Sequence, residues 1–197
     1  MDDNQILGAI EAAKPGIEKY RSIMKLLHSV DVSVHEDFQR QYKAFYRVRQ
    51  KTAVWYQRYF QLLEKSKQSG TSFAQILEAL RVDLDGAYEP SFSSKLGATI
   101  DPWKPVWDEH VLRNTGHTPP RYTSPTKHQE AVKAFSSIKV WYEEFLKTDE
   151  ARHWICLFNA NVDRYFDFTD IKKIDFILWQ VRGDRDGYPF HREDVPR

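Results

Sequence analysis

Apolar residues along this chain recur three and four positions apart, and no segment sustains the every-second-residue alternation of a strand. That period restricts the fold to helices packed on helices. The reading is all-α, a compact bundle of about seven or eight helices. With 197 residues, 41% of them hydrophobic, the chain can bury a core without covalent staples. Residues 1–183 are expected to form a single all-α domain, with 1–33 as an N-terminal helical extension. Residues 184–197, polar and rich in Pro, Gly and charge, are expected to be a flexible tail.

Punctuation residues divide the pattern. Residues 2–13 suit a short helix, with Ile6, Leu7 and Ile10 on one face, and Pro15-Gly16 is expected to interrupt it. Ile17, Tyr20, Met24 and Leu27 then carry a second stripe. A long third helix is expected from His35 to Lys67, its stripe running through Phe38, Tyr42, Phe45, Thr52, Tyr56, Phe60 and Leu63. Ser72 with Gln75 reads as a capping box. Phe92, Leu96 and Ile100 mark the core face of a short helix, with Lys95 off that line. Ser124-Pro125 reads as a cap and first helical position. Thr148 or Asp149 starts the next helix, and Thr169 caps the last, which Gly183 should stop.

Composition narrows the function classes. The single cysteine, Cys156, rules out disulfide frameworks and four-cysteine metal sites within one chain, favours a cytoplasmic setting, and is expected to be buried in its apolar run. The N-terminus lacks a basic region followed by an apolar run, so no signal peptide is expected, and no apolar stretch has membrane-spanning length. His110 and His117 do not complete a convergent ligand set, so neither a metal nor another cofactor is expected. Net charge is only +1, but its distribution is uneven: between Phe38 and Leu63 there is no Asp or Glu. On one continuous helix Arg40, Arg47, Lys51 and Arg58 would share a face suited to a phosphate backbone, or a solvated face paired with acids elsewhere.

The most informative stretch is Ser91–Gly116: a helix, a turn stiffened by Pro102 and Pro105, and a second helix entered through Trp107-Asp108. Asp108 fits two accounts. As an N-cap it accepts backbone N–H groups, with Trp107 and Leu112 as a hydrophobic staple. As a displayed carboxylate beside Trp103 and Trp107 it can stabilise a developing cation or activate water. Asp175 interrupts the apolar run Ile174–Trp179, where Lys172, Lys173 or Arg182 would offset a buried charge.

Pro105-Val106-Trp107-Asp108-Glu109-His110-Val111 resembles the V-D-T-H-V signature of helix-hairpin-helix DNA glycosylases, in which the Asp is catalytic. Upstream, Leu84-Asp85-Gly86-Ala87-Tyr88-Glu89-Pro90-Ser91-Phe92 falls on the family's hairpin pattern L-P-G-V-G-x-K-T-A. Leu84 and Gly86 agree; Tyr88 replaces the second glycine, and Pro90 stands where bifunctional members carry their lysine. The resemblance covers about thirty residues and implies a helix-hairpin-helix-like central segment and DNA as partner. It further implies monofunctional base excision without lyase chemistry: Asp108 as the catalytic carboxylate, with Trp103, Trp107, Tyr88 and Lys95 contacting substrate. The alternative is a non-enzymatic helical domain that binds nucleic acid or protein.

Overall fold

A computed structural model describes residues 1–163 and 166–181. Those residues form an all-α bundle of nine helices with no sheet. In chain order they are α1 (Asp3–Leu27), α2 (Glu36–Tyr46), α3 (Ala53–Ser66), α4 (Phe73–Asp83), α5 (Pro90–Ile100), α6 (Glu109–Asn114), α7 (Lys127–Phe145), α8 (Asp149–Asn161) and α9 (Asp170–Gln180). Gly183 and the 184–197 tail lie outside the described residues. None of the described helices is long and apolar enough to cross a membrane.

Local capping chemistry sets most starts. Asp2 and Gln5 close a capping box on α1, and Ser72 and Gln75 close another on α4. Thr148 and Thr169 cap α8 and α9 through their hydroxyls. The start of α7 differs from expectation. Ser124-Pro125 precedes the helix in a turn, and the Ser124 and Thr126 hydroxyls both bond Glu130.

Two long-range differences matter more. The expected break at Pro15 does not occur: α1 runs through it as one helix of 25 residues. Pro15 and Glu11 both face solvent, so the carbonyl that Pro15 leaves without its helical donor is open to water. On the inner face Ile6, Ile10, Ala13, Ile17, Tyr20, Ile23 and Leu27 keep one stripe across the proline. That stripe packs on α2, α8 and α9, so the N-terminal segment is part of the common core.

The expected helix from His35 to Lys67 is instead two helices. α2 closes at Arg47 in the left-handed conformation (φ 54°, ψ 39°), and Gln50 is also left-handed (φ 57°). Thr52, expected within the stripe, is exposed and caps α3 by accepting the Trp55 N–H. The buried face therefore shifts, and Trp55 and Tyr59 join Phe60 and Leu63 inside while Tyr56 is only half-buried. The break lets α3 fold back on α2. The Tyr42 and Tyr59 hydroxyls meet at 2.7 Å, and Phe60 packs edge-on to Tyr42. A straight helix would have left these rings without each other.

At the centre lies α5, buried from Ser93 to Thr99 on all sides. Its hydroxyls bond backwards onto its own carbonyls, Ser93 to Glu89, Ser94 to Ser91 and Thr99 to Lys95, so the burial leaves none of them wanting. Lys95, expected off the core face, is carried into the interior with the rest. Cys156, expected to be buried, is exposed on α8.

Because α1 keeps its stripe in register through a solvent-facing proline, Pro15→Ala should stabilise the fold, by on the order of 1–3 kcal/mol, through the restored Glu11 hydrogen bond. Urea denaturation checks this. No gain would mean that α1 is already interrupted there.

Candidate functional site

Three elements converge on one buried ammonium. Lys95 projects from α5 and is only 6% exposed. Its Nζ donates to the Tyr46 carbonyl, the last residue of α2, at 3.4 Å. It stands 3.8 Å from Asp108 Oδ2 and 5.3 Å from the centre of the Phe92 ring. The C-terminal end of α2 carries partial negative charge, so carbonyl and carboxylate together hold the cation. Burial nevertheless pushes Lys95 below the ordinary lysine value of 10.5; Asp108 opposes that shift and Arg47 reinforces it.

Asp108 divides its oxygens. Oδ1 accepts the His110 N–H at 3.1 Å, which makes it the N-cap of α6. Oδ2 is left to Lys95, and the side chain is 15% exposed. The two residues before it are fixed from different sides. The Trp107 N–H donates to Ser94 Oγ of α5 at 2.8 Å, and the Val106 N–H is directed at Asp175 of α9. Farther back, the Thr169 hydroxyl holds the Pro102 carbonyl at 2.6 Å.

Asp175 is the charge whose burial the sequence only hinted at. It accepts from the Tyr142 hydroxyl of α7 and, at 3.0 Å, from Lys172. Lys172 is thus its counter-charge; Arg182 lies outside the described residues. Desolvation raises the carboxyl above its ordinary range, against the pull of Lys172 and its hydrogen-bond donors. Tyr142 carried no sequence signal beyond its place in the α7 stripe. Between Asp108 and Asp175 lies a cavity of about 20 Å³, walled also by Phe45, Tyr46, Phe176 and Trp179. That is room for about one water molecule, so a nucleobase needs these walls to part.

The other expected site residues scatter. Trp107 is in the core, parallel to Phe73 at 6.2 Å, and Leu112 is buried as well. Trp103 is 62% exposed on the turn before Asp108. Tyr88 sits elsewhere, edge-on to Tyr122 and His128, its hydroxyl pushed up to about 12 by burial and then by Glu130. Arg40 on α2 pairs with Asp37, and Arg58 is on α3, so the four cations do not share one helical face. Lys51 is tied to Glu89 at 2.5 Å and lies over the Trp55 and Phe92 rings. Among the described residues, no three His, Cys, Asp or Glu side chains form a metal-binding group.

An amine of lowered proton affinity beside a half-committed carboxylate has two chemical uses. The carboxylate can stabilise a cation that develops near it, and the amine can act as base or nucleophile.

Two stability measurements follow. Asp175→Ala should cost about 3–5 kcal/mol by leaving Lys172 alone in the core, and the Asp175→Ala/Lys172→Met pair should recover most of it. Urea denaturation as a double-mutant cycle reads this; strict additivity would contradict the coupling. For Lys95, the unfolded chain binds the proton more tightly than the folded one. Its contribution to stability therefore rises with pH from its lowered folded value up to about 10.4. The difference in unfolding free energy between wild type and Lys95→Met should show that rise; a flat difference would contradict a depressed lysine.

No family model, curated protein or solved structure matches this chain.

Proposed function

We propose that this chain is a DNA-binding, DNA glycosylase-like protein that excises a base with Asp108 as the essential carboxylate. The observation that carries the reading is the second Asp108 oxygen, which the helix cap leaves to Lys95. A helix cap uses one oxygen, and the other faces a buried lysine at 3.8 Å at the edge of a small cavity. In this chemistry a nucleotide leaves the base stack and enters by parting the cavity walls. The N-glycosidic bond breaks with its electron pair leaving on the base. Asp108 stabilises the cation left on the sugar, and water adds to the anomeric carbon with loss of a proton. The α4–α5 connection also supports the helix-hairpin-helix reading. Two packed helices are joined by a short loop in which Asp85 (φ 51°) and Gly86 (φ 82°) are both left-handed.

The Lys95 geometry favours a second reading of the same site. Pro90 at the hairpin position excludes a lysine there, but Lys95 reaches Asp108 from five residues, more than one turn, farther along α5. Its lowered proton affinity suits an amine that attacks the anomeric carbon in place of water, displaces the base with its bonding electron pair, loses a proton, and becomes a Schiff base as the ring C–O bond opens.

Duplexes each carrying one damaged or deaminated base, scored for abasic sites, test the proposal. Wild type should release a base. Asp108→Asn, which keeps a good cap, should fold and bind but lose release by about 100-fold or more. Unchanged release from Asp108→Asn would leave Asp108 as a helix cap and rule out its assigned role, and no release from any duplex would leave a non-enzymatic helical domain. Borohydride trapping of a Lys95–DNA adduct, absent in Lys95→Gln, would select the second reading.

A further inference from the structure

The connection between α2 and α3, Arg47-Val48-Arg49-Gln50-Lys51-Thr52, is anchored at its second residue. Val48 is buried at 4% exposure, its N–H donates to the Lys43 carbonyl at 3.0 Å, and its own carbonyl accepts the Tyr56 hydroxyl at 3.3 Å. With Val48 held inward, Arg47 and Arg49 on either side are both exposed. Among the described residues neither has an ion-pair partner, whereas Arg40 and Lys51 are paired with Asp37 and Glu89. Arg47 also occupies a left-handed helix closure that normally takes glycine. Arginine holds that conformation less easily than glycine would.

The loop also has a defined neighbour. Arg47 follows Tyr46, whose carbonyl receives the Lys95 ammonium, and Arg47 is near enough to lower the proton affinity of Lys95. Arg47 therefore stands at the rim of the Lys95–Asp108 site, with Arg49 two residues farther along the same loop. Guanidinium forks match phosphate oxygens in geometry as well as charge.

We propose that Arg47 and Arg49 grip the phosphodiester backbone of DNA beside the Lys95–Asp108 site, and that this loop, in place of the Arg40/Arg58 surface, is the phosphate-binding element. The choice of DNA among polyanions rests on the site reading above. The phosphate grip is sequence-independent, and it fixes where the strand lies relative to Asp108.

The test compares Arg47→Gln/Arg49→Gln with Arg40→Gln/Arg58→Gln, using a short undamaged duplex and salt from about 50 to 200 mM. The loop variant should bind more weakly on every duplex sequence, and its slope of log affinity against log salt should be shallower by about 1.8, the value for two lost phosphate contacts. The Arg40/Arg58 variant should keep the wild-type slope. Arg47→Gly, which suits the left-handed turn, should melt no lower than wild type and still lose about half of that slope change, which separates lost charge from lost fold.

An unchanged slope in the loop variant overturns the proposal, as does an equal change in the Arg40/Arg58 variant or a wild type that does not bind duplex. Loss of attachment to phosphatidylserine vesicles with duplex binding intact overturns it in favour of a membrane. Base release measured on the same proteins keeps the two ideas apart. A shallower slope without any release in wild type leaves the grip standing and the catalytic reading fallen; release with an unmoved slope does the reverse.

Discussion

A lysine ammonium inside a helical bundle is the constraint from which the rest of this arrangement follows. Removing such an ion from water costs several kcal/mol unless charge and hydrogen bonds replace the lost hydration. Lys95 is drawn inward because α5 is surrounded on all sides, and it cannot reach solvent along that helix. The Tyr46 carbonyl and Asp108 Oδ2 offset its charge, one from the end of α2 and one from the start of α6. Both elements must stop where they do for those oxygens to be available. The left-handed closure at Arg47 and the cap at Asp108 are thus helix ends with a second duty.

The position of Asp108 is fixed from behind. Its two preceding N–H groups are taken by side chains from α5 and α9, through Ser94 and Asp175. Asp175 is in turn held by Tyr142 of α7 and Lys172 of its own helix. One buried carboxylate thereby ties two helices to the turn that delivers another. A carboxylate supported in this way keeps its direction without spending both of its own oxygens on it, which is what a reacting group requires.

Much of the fold was legible because its signals are local. The caps at Ser72, Asp108, Thr148 and Thr169 are short-range hydrogen bonds encoded by adjacent residues. Two of the misreadings share a cause: each depended on which side of a helix meets water. Pro15 is tolerated because it faces solvent, and Cys156 is exposed because the apolar run around it is only partly inward. The break at Arg47 carries no glycine to announce it, and Thr52 matched the stripe it interrupts. At the site, Asp108 was readable as both cap and carboxylate. Its partner Lys95 was named only as a substrate contact implied by the resemblance; its burial against Asp108 was not legible, since a helix buried all round has no polar side for a lysine to mark. Tyr88 was reached through the hairpin pattern and Trp107 through adjacency to Asp108, and neither brings side chains together.

The most direct measurement of the central claim is a pH titration of the lysine side chains by carbon-13 NMR, with Lys95 assigned by its absence in Lys95→Met. The account predicts one lysine that titrates below the surface lysines and shifts lower still in Asp108→Asn, where the neutral amide no longer supports the ammonium. A Lys95 resonance that titrates with the surface lysines and ignores the Asp108 substitution would contradict it.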